Sequence, residues 1–255
     1  PADMVKDMKF LRHGDNFRFY VHTHYNDEDW IILYKLVENK ITVITTNKLY
    51  DVIQDRLYSH EKTNGDILFS GDISEVNGND YTDVLISFFE NNNLSWSHRY
   101  GRTNVSEKSA GIMYKNESIY LANNIMEDQQ TPESIVLKQF DAGGYPQKQY
   151  TTQLDGENYV CDFVESAENE FLFTGFKRID NKNSRVFMAR DSIKGGFVLE
   201  KTYGDKGFSK GKFIRNLPDG KGYIIAGNIS TSGLNSKAKD VVVIKMNENC
   251  NWIEE

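Results

Sequence analysis

Five short stretches decide the fold: Phe19-Tyr20-Val21-His22-Thr23, Ile67-Leu68-Phe69-Ser70-Gly71, Ile119-Tyr120-Leu121-Ala122-Asn123, Phe171-Leu172-Phe173-Thr174-Gly175 and Tyr223-Ile224-Ile225-Ala226-Gly227. Each reads as three apolar residues, a small or polar one, then Gly or a substitute. Their last residues are spaced by 48, 52, 52 and 52 positions, and self-similarity at such a period marks a repeat architecture. A second apolar run follows each stretch: Trp30 to Leu36, Val84 to Phe89, Ile135 to Phe140, Val186 to Ala189 and Val241 to Met246. Tight polar turns come next, such as Glu90-Asn91-Asn92-Asn93 and Asp141-Ala142-Gly143-Gly144, built from residues that tolerate the left-handed backbone of a hairpin.

After each turn a further strand starts near Ile41, Trp96, Tyr145, Phe197 or Trp252. One more precedes each opening stretch, near Met8 to Arg12, Val52 to Tyr58, Gly111 to Tyr114, Tyr159 to Val164 and Lys212 to Arg215. Each repeat is therefore four antiparallel strands with no helical period between them, which matches a propeller blade better than a sandwich. The expected fold is all-β: one β-propeller domain over residues 1–255 with five four-stranded blades, at about 4–48, 49–101, 102–151, 152–204 and 205–255. The outer strand of the last blade is expected from Trp252 to Glu255, with Trp96, Tyr145, Phe197 and Trp252 as wedge-filling core rings.

Composition agrees. Of 255 residues 39% are hydrophobic, aromatics are 13% and Asn alone supplies 24, a balance of strands and polar turns. A net charge of −7 leaves no cationic excess for phosphates, which argues against nucleic acid as a partner. No apolar run is long enough to form a transmembrane segment. Cys161 and Cys250 are too few for a disulfide scaffold and lack a metal-site or redox spacing.

The fifth repeat resembles one found in secreted and surface proteins of Bacteroidetes and other bacteria, akin to quinoprotein-like and Kelch-like propellers. The likeness rests on Tyr203-Gly204, on Asp219-Gly220-Lys221-Gly222-Tyr223-Ile224-Ile225-Ala226-Gly227-Asn228, on Asp240-Val241-Val242-Val243-Ile244-Lys245 and on Trp252. It spans the chain in weakened form and is faintest in the first repeat, where Thr23 stands for Gly. The resemblance implies a propeller and an exported location, at the cell surface, in the periplasm or outside the cell, with a signal or lipoprotein leader removed. It implies no particular chemistry.

Long, polar loops link the second and third strands of most repeats, and such loops on a rigid scaffold carry binding sites. Tyr25, Tyr81, Arg102, Arg178 and Phe208 are the candidate ligand residues there, for a glycan, a peptide or an envelope protein. No residue is assigned to catalysis or to a metal, no cofactor is expected, and a monomer is expected. His22 and His24 share one face of a strand, as two metal ligands would, but no third ligand can be named. Asp29, Asp83, Glu133 and Asp240 recur where the third strand starts, with Ser184 in the fourth repeat, a place where a short carboxylate can accept loop N–H groups. The expected function is thus a non-catalytic exported binding or scaffold module. The alternative is a five-bladed glycan hydrolase or lyase that uses inward carboxylates drawn from Asp7, Asp51, Asp55, Asp162 and Glu165.

Overall fold

The computed structural model describes residues 4–13, 16–38, 40–49, 51–74, 81–126, 134–153, 156–167, 170–180, 182–193, 196–204, 207–230 and 240–253. These hold nineteen strands and no helix. The first sheet has the order β1 (Met4–His13), β2 (Asn16–Tyr25), β3 (Glu28–Val37), β4 (Lys40–Lys48); the second is β5 (Ile53–Glu61), β6 (Ile67–Ser74), β7 (Thr82–Glu90), β8 (Asn93–Tyr100). The third is β9 (Ser106–Lys115), β10 (Ser118–Met126), β11 (Ser134–Asp141), β12 (Pro146–Thr152). A seven-stranded fourth sheet holds β13 (Glu157–Ala167), β14 (Glu170–Arg178), β15 (Ser184–Ser192), β16 (Gly196–Tyr203), β17 (Phe208–Asn216), β18 (Gly222–Ser230) and β19 (Asp240–Asn247).

The repeat is thus visible strand by strand, but the sheets number four. The fourth and fifth repeats share a sheet because one parallel bridge, Ser184 to Phe208, joins β15 to β17. The expected outer strand of the fifth repeat is reduced, among the described residues, to a single bridge between Met246 and Trp252.

Local chemistry explains the hairpins. Asn26-Asp27, Asn91-Asn92 and Asn116-Glu117 all have positive φ, the backbone of a two-residue turn that follows the twist of its strands. Asp141 Oδ1 accepts the N–H groups of Gly143 and Tyr145 at 3.0 and 2.9 Å, which closes the turn after β11.

Two repeat glycines have a specific cause. β13 bulges between Val160 and Asp162 and β17 between Gly211 and Phe213, opposite Gly175 and Gly227 respectively. A Cβ on Gly175 would lie 1.7 Å from the carbonyl oxygen of Tyr159, and one on Gly227 would lie 1.9 Å from that of Lys210. The bulge pushes a carbonyl into the space a side chain would need, so only Gly fits.

The chain divides into two compact units, Pro1–Leu121 with Lys138–Lys148, and Ala122–Leu137 with Gln149–Glu255. In the first, Tyr20, Ile31, Leu33, Ile53, Phe69 and Phe89 form a core of the first two sheets, and Leu68, Ile86, Ile112, Leu121 and Phe140 form another. In the second, Leu172, Val186, Met188, Ile214, Ile225 and Met246 are buried together.

Not every ring expected in a core is there. Trp96 packs on Phe88 and His98 and rests where Gly144 has no side chain. Tyr145 and Trp252, however, are 63% and 62% exposed, because the fourth strand of a repeat is its outer edge and one of its faces stays in water. The side chain of Phe197 lies outside the described residues. Trp252→Ala is accordingly expected to cost less than about 1 kcal/mol, as at other surface positions, rather than the about 3–5 kcal/mol of a buried Trp. The denaturant midpoint checks it.

Candidate functional site

β2 and β3 are joined by the tight Asn26-Asp27 turn, so His24 and Asp29 stand directly opposite one another. His22, two residues earlier, faces the same side. Asp29 is fully buried and collects four donors. His22 Nε2 meets its Oδ2 at 2.8 Å, His24 Nδ1 meets its Oδ1 at 2.6 Å, Lys6 Nζ lies 3.1 Å from both oxygens, and the backbone N–H of Ile53 donates to Oδ2 at 2.8 Å. Burial works against the charged form of Asp29, but the bonds from His22, His24 and Ile53 outweigh it and hold the carboxyl well below the usual carboxylate range.

The two imidazoles are placed differently. His22 is fully buried, and its Nδ1 has no hydrogen-bond partner. The His24 side chain is 27% exposed and meets Asp29 through Nδ1, which leaves Nε2 off that carboxylate. A buried carboxylate thus holds the imidazole by one nitrogen, the arrangement that orients a histidine in proton-transfer sites. Tyr25, the next residue, is about half exposed at the end of β2.

A second cluster lies on β9. Glu107 is fully buried, accepts from Arg102 Nε at 3.1 Å and pairs with Lys138. Thr82, beside Tyr81, donates its N–H to Ser106 Oγ and its hydroxyl to the Glu107 carbonyl, both at 3.3 Å. Arg102 is thus held by the Glu107 carboxylate, which the sequence does not single out, and Tyr81 precedes Thr82, which bonds Ser106 and the Glu107 backbone.

Arg178 and Phe208 belong to another. Arg178 lies over the Tyr159 ring at 5.6 Å and pairs with Glu157 at 3.0 Å. Tyr159 stacks on Phe176 at 4.5 Å, with Phe208 at 5.6 Å and Lys210 Nζ 4.9 Å from the Phe176 ring. The five candidate ligand residues thus fall into three places: Tyr25 by the His24 dyad, Tyr81 with Arg102, and Arg178 with Phe208.

The carboxylates considered for hydrolysis are mostly engaged. Asp162 accepts from Phe163 N, Ile214 N and Arg215 Nη1, Asp51 is paired with Arg99, and Asp7 accepts its neighbour's N–H. Glu165 is half-buried on β13, and the side chain of Asp55 lies outside the described residues. Of the residues at the start of the third strand, Asp29 and Ser184 bond to the backbone of the next repeat, at Ile53 N and Ser209 O. Asp83 fills the space left by Gly101, and Glu133 lies outside the described residues.

The chain matches no protein-family model and no curated protein sequence. Solved structures do match, and they are propeller folds. A protein of unknown function from Dyadobacter fermentans is 12% identical with a TM-score of 0.60, covering 97% of this chain and 82% of its own. Hydrazine synthase from Kuenenia stuttgartiensis is 10% identical with a TM-score of 0.58, covering 92% of this chain, which spans only 61% of that one. A putative exo-β-1,3-galactanase from Bifidobacterium bifidum is 8% identical with a TM-score of 0.55, covering 94% and 87%. Further matches include a polysaccharide lyase and a xylan β-1,4-xylosidase. These neighbours correct the expectation of a non-catalytic scaffold, because the activities named among them are mostly those of glycan-active enzymes. Among the described residues no helix is long and apolar enough to cross a membrane.

Proposed function

We propose that this chain is a glycan-active enzyme, a single five-bladed propeller working outside the cytoplasm, in which His24 is the proton-transfer group. One observation carries the reading: the buried Asp29 carboxylate holds the partly exposed His24 by Nδ1 and leaves Nε2 off that carboxylate. Elimination on an acidic polysaccharide suits this group, since it calls for one side chain that takes a proton from carbon. In the step, Nε2 takes the proton on the carbon next to the uronate carboxylate. The C–H electrons form a C=C bond, the C–O bond to the departing sugar breaks, and its oxygen takes a proton from solvent. Tyr25, the residue after His24 and about half exposed, is the candidate contact for the sugar at this site. The likeness in fold to a polysaccharide lyase supports the same reading.

Native electrophoresis through gels containing polygalacturonate, alginate, xylan or β-1,3-galactan tests the ligand class. The chain is expected to be retarded by an acidic polymer, and Tyr25→Ala is expected to weaken that by about tenfold, the effect of losing a modest contact hot spot. Retardation by neutral polymers alone, or by none, overturns the proposal.

A further inference from the structure

Arg102 is held in a rigid frame. It opens the turn that leads into β9: the N–H of Val105 donates to its carbonyl at 3.2 Å, and Asn104 takes the left-handed backbone that such a turn uses. The residue before it, Gly101, leaves room for the Asp83 carboxylate, which faces Arg99 at 4.0 Å. Glu107 is fully buried, accepts from Arg102 Nε at 3.1 Å and pairs through its other oxygen with Lys138. One carboxylate therefore serves two cations. The Lys138 side chain is only 15% exposed and neutralises Glu107 from within, whereas that of Arg102 is 49% exposed and carries the remaining positive charge to the surface. A guanidinium held by Nε still offers Nη1 and Nη2 as a fork for a planar anion. Neither nitrogen takes a partner among the described residues.

We propose that Arg102 is a carboxylate-binding subsite, which holds one sugar acid of a polymer whose neighbouring part lies at His24. The fork geometry favours a planar carboxylate over a tetrahedral anion. Position is the second argument. Ile53, Ile73 and Asp83 stand side by side on β5, β6 and β7. The N–H of Ile53 donates to Asp29, and Asp83 abuts Gly101, so both clusters border the same end of the second sheet. These two anchors are two strand spacings, about 10 Å, apart. An extended polymer reaches across such a distance. The site itself rests on the Arg102–Glu107–Lys138 geometry, and the choice of a sugar acid as its ligand rests on the acidic-glycan reading.

Nitrogen-15 NMR of the arginine side chains in the full chain tests it, with tetragalacturonate, its methyl ester and inorganic sulfate as the added probes. The Arg102 Nε–H signal is the one missing from Arg102→Lys, a change that keeps the charge but not the fork. Arg102→Gln serves the same purpose should the lysine variant misfold. The signal is expected to move saturably with tetragalacturonate and to stay in place with the uncharged ester. In gels containing polygalacturonate, Arg102→Lys is expected to weaken retardation by about tenfold, the loss of one charge-assisted hydrogen bond. A signal that tetragalacturonate leaves in place, that the ester moves equally, or that only sulfate moves overturns the proposal. Unchanged retardation of the variant does so too. Failure of the catalytic reading looks different: the Arg102 signal moves, yet no unsaturated sugar ends form. Unsaturated ends with an unmoved Arg102 signal remove the subsite alone.

Discussion

His24→Ala is expected to lower turnover of an acidic glycan by about 10²–10⁴-fold, the usual contribution of a positioned acid or base, while binding stays within about threefold. The substitution removes the imidazole but leaves Asp29 with His22, Lys6 and the Ile53 N–H. The fold is therefore retained, and the loss falls on kcat rather than KM. His24→Gln puts a polar side chain in the same place without a basic nitrogen, so it should restore the melting temperature and not the rate. Single-substrate kinetics on the two variants checks both statements. A His24→Ala enzyme with unimpaired kcat removes His24 from the chemistry.

Asp29→Ala is expected to cost about 3–5 kcal/mol, the penalty for leaving the partners of a buried ion pair uncompensated. Lys6 is left mostly buried without its carboxylate, the buried His22 loses its one partner, and the Ile53 N–H loses its acceptor. At about 2–4 °C per kcal/mol for a chain of this size, the melting temperature falls by about 6–20 °C. Acidity should produce part of the same loss. The folded carboxyl of Asp29 is held below its ordinary value, so its contribution is fully present above the unfolded value near pH 4. It drains away as the pH falls from there toward the folded value. Denaturant titrations between pH 7 and 3 should show wild type losing stability toward acid more steeply than Asp29→Ala. Parallel curves would mean that folding leaves the proton affinity of Asp29 unchanged.

Much of the fold was legible because strand alternation, Asn-rich turns and a constant spacing act locally. The expected third strand from Val84 to Phe89 lies inside β7, and the turn after it is the positive-φ pair Asn91-Asn92. What failed depended on position in the sheet. Tyr145 and Trp252 look like core rings by size, yet an outer strand leaves them in water. The bulges that demand Gly175 and Gly227 have no one-residue signature, although the glycines themselves did announce a close approach.

The site was half legible. His22 and His24 were seen to share a face, and Asp29 was seen as a recurrent acceptor, but the two were not joined. The missing step was the Asn26-Asp27 hairpin: residues five apart across a two-residue turn are cross-strand partners. Glu107 gave no such signal. Its partner Lys138 is 31 positions away, so only the fold brings them together. The expected scaffold role rested on the lack of a nucleophile or metal motif, whereas the contact between His24 and Asp29 is a matter of geometry that such motifs do not encode.

The most direct measurement is a digestion of acidic polysaccharides by the purified chain, following the ultraviolet absorbance of unsaturated sugar ends alongside total reducing ends. The account requires both to rise together on at least one uronate-containing polymer and to stop together in His24→Ala. Reducing ends without unsaturation, or products formed equally by the variant, would contradict it.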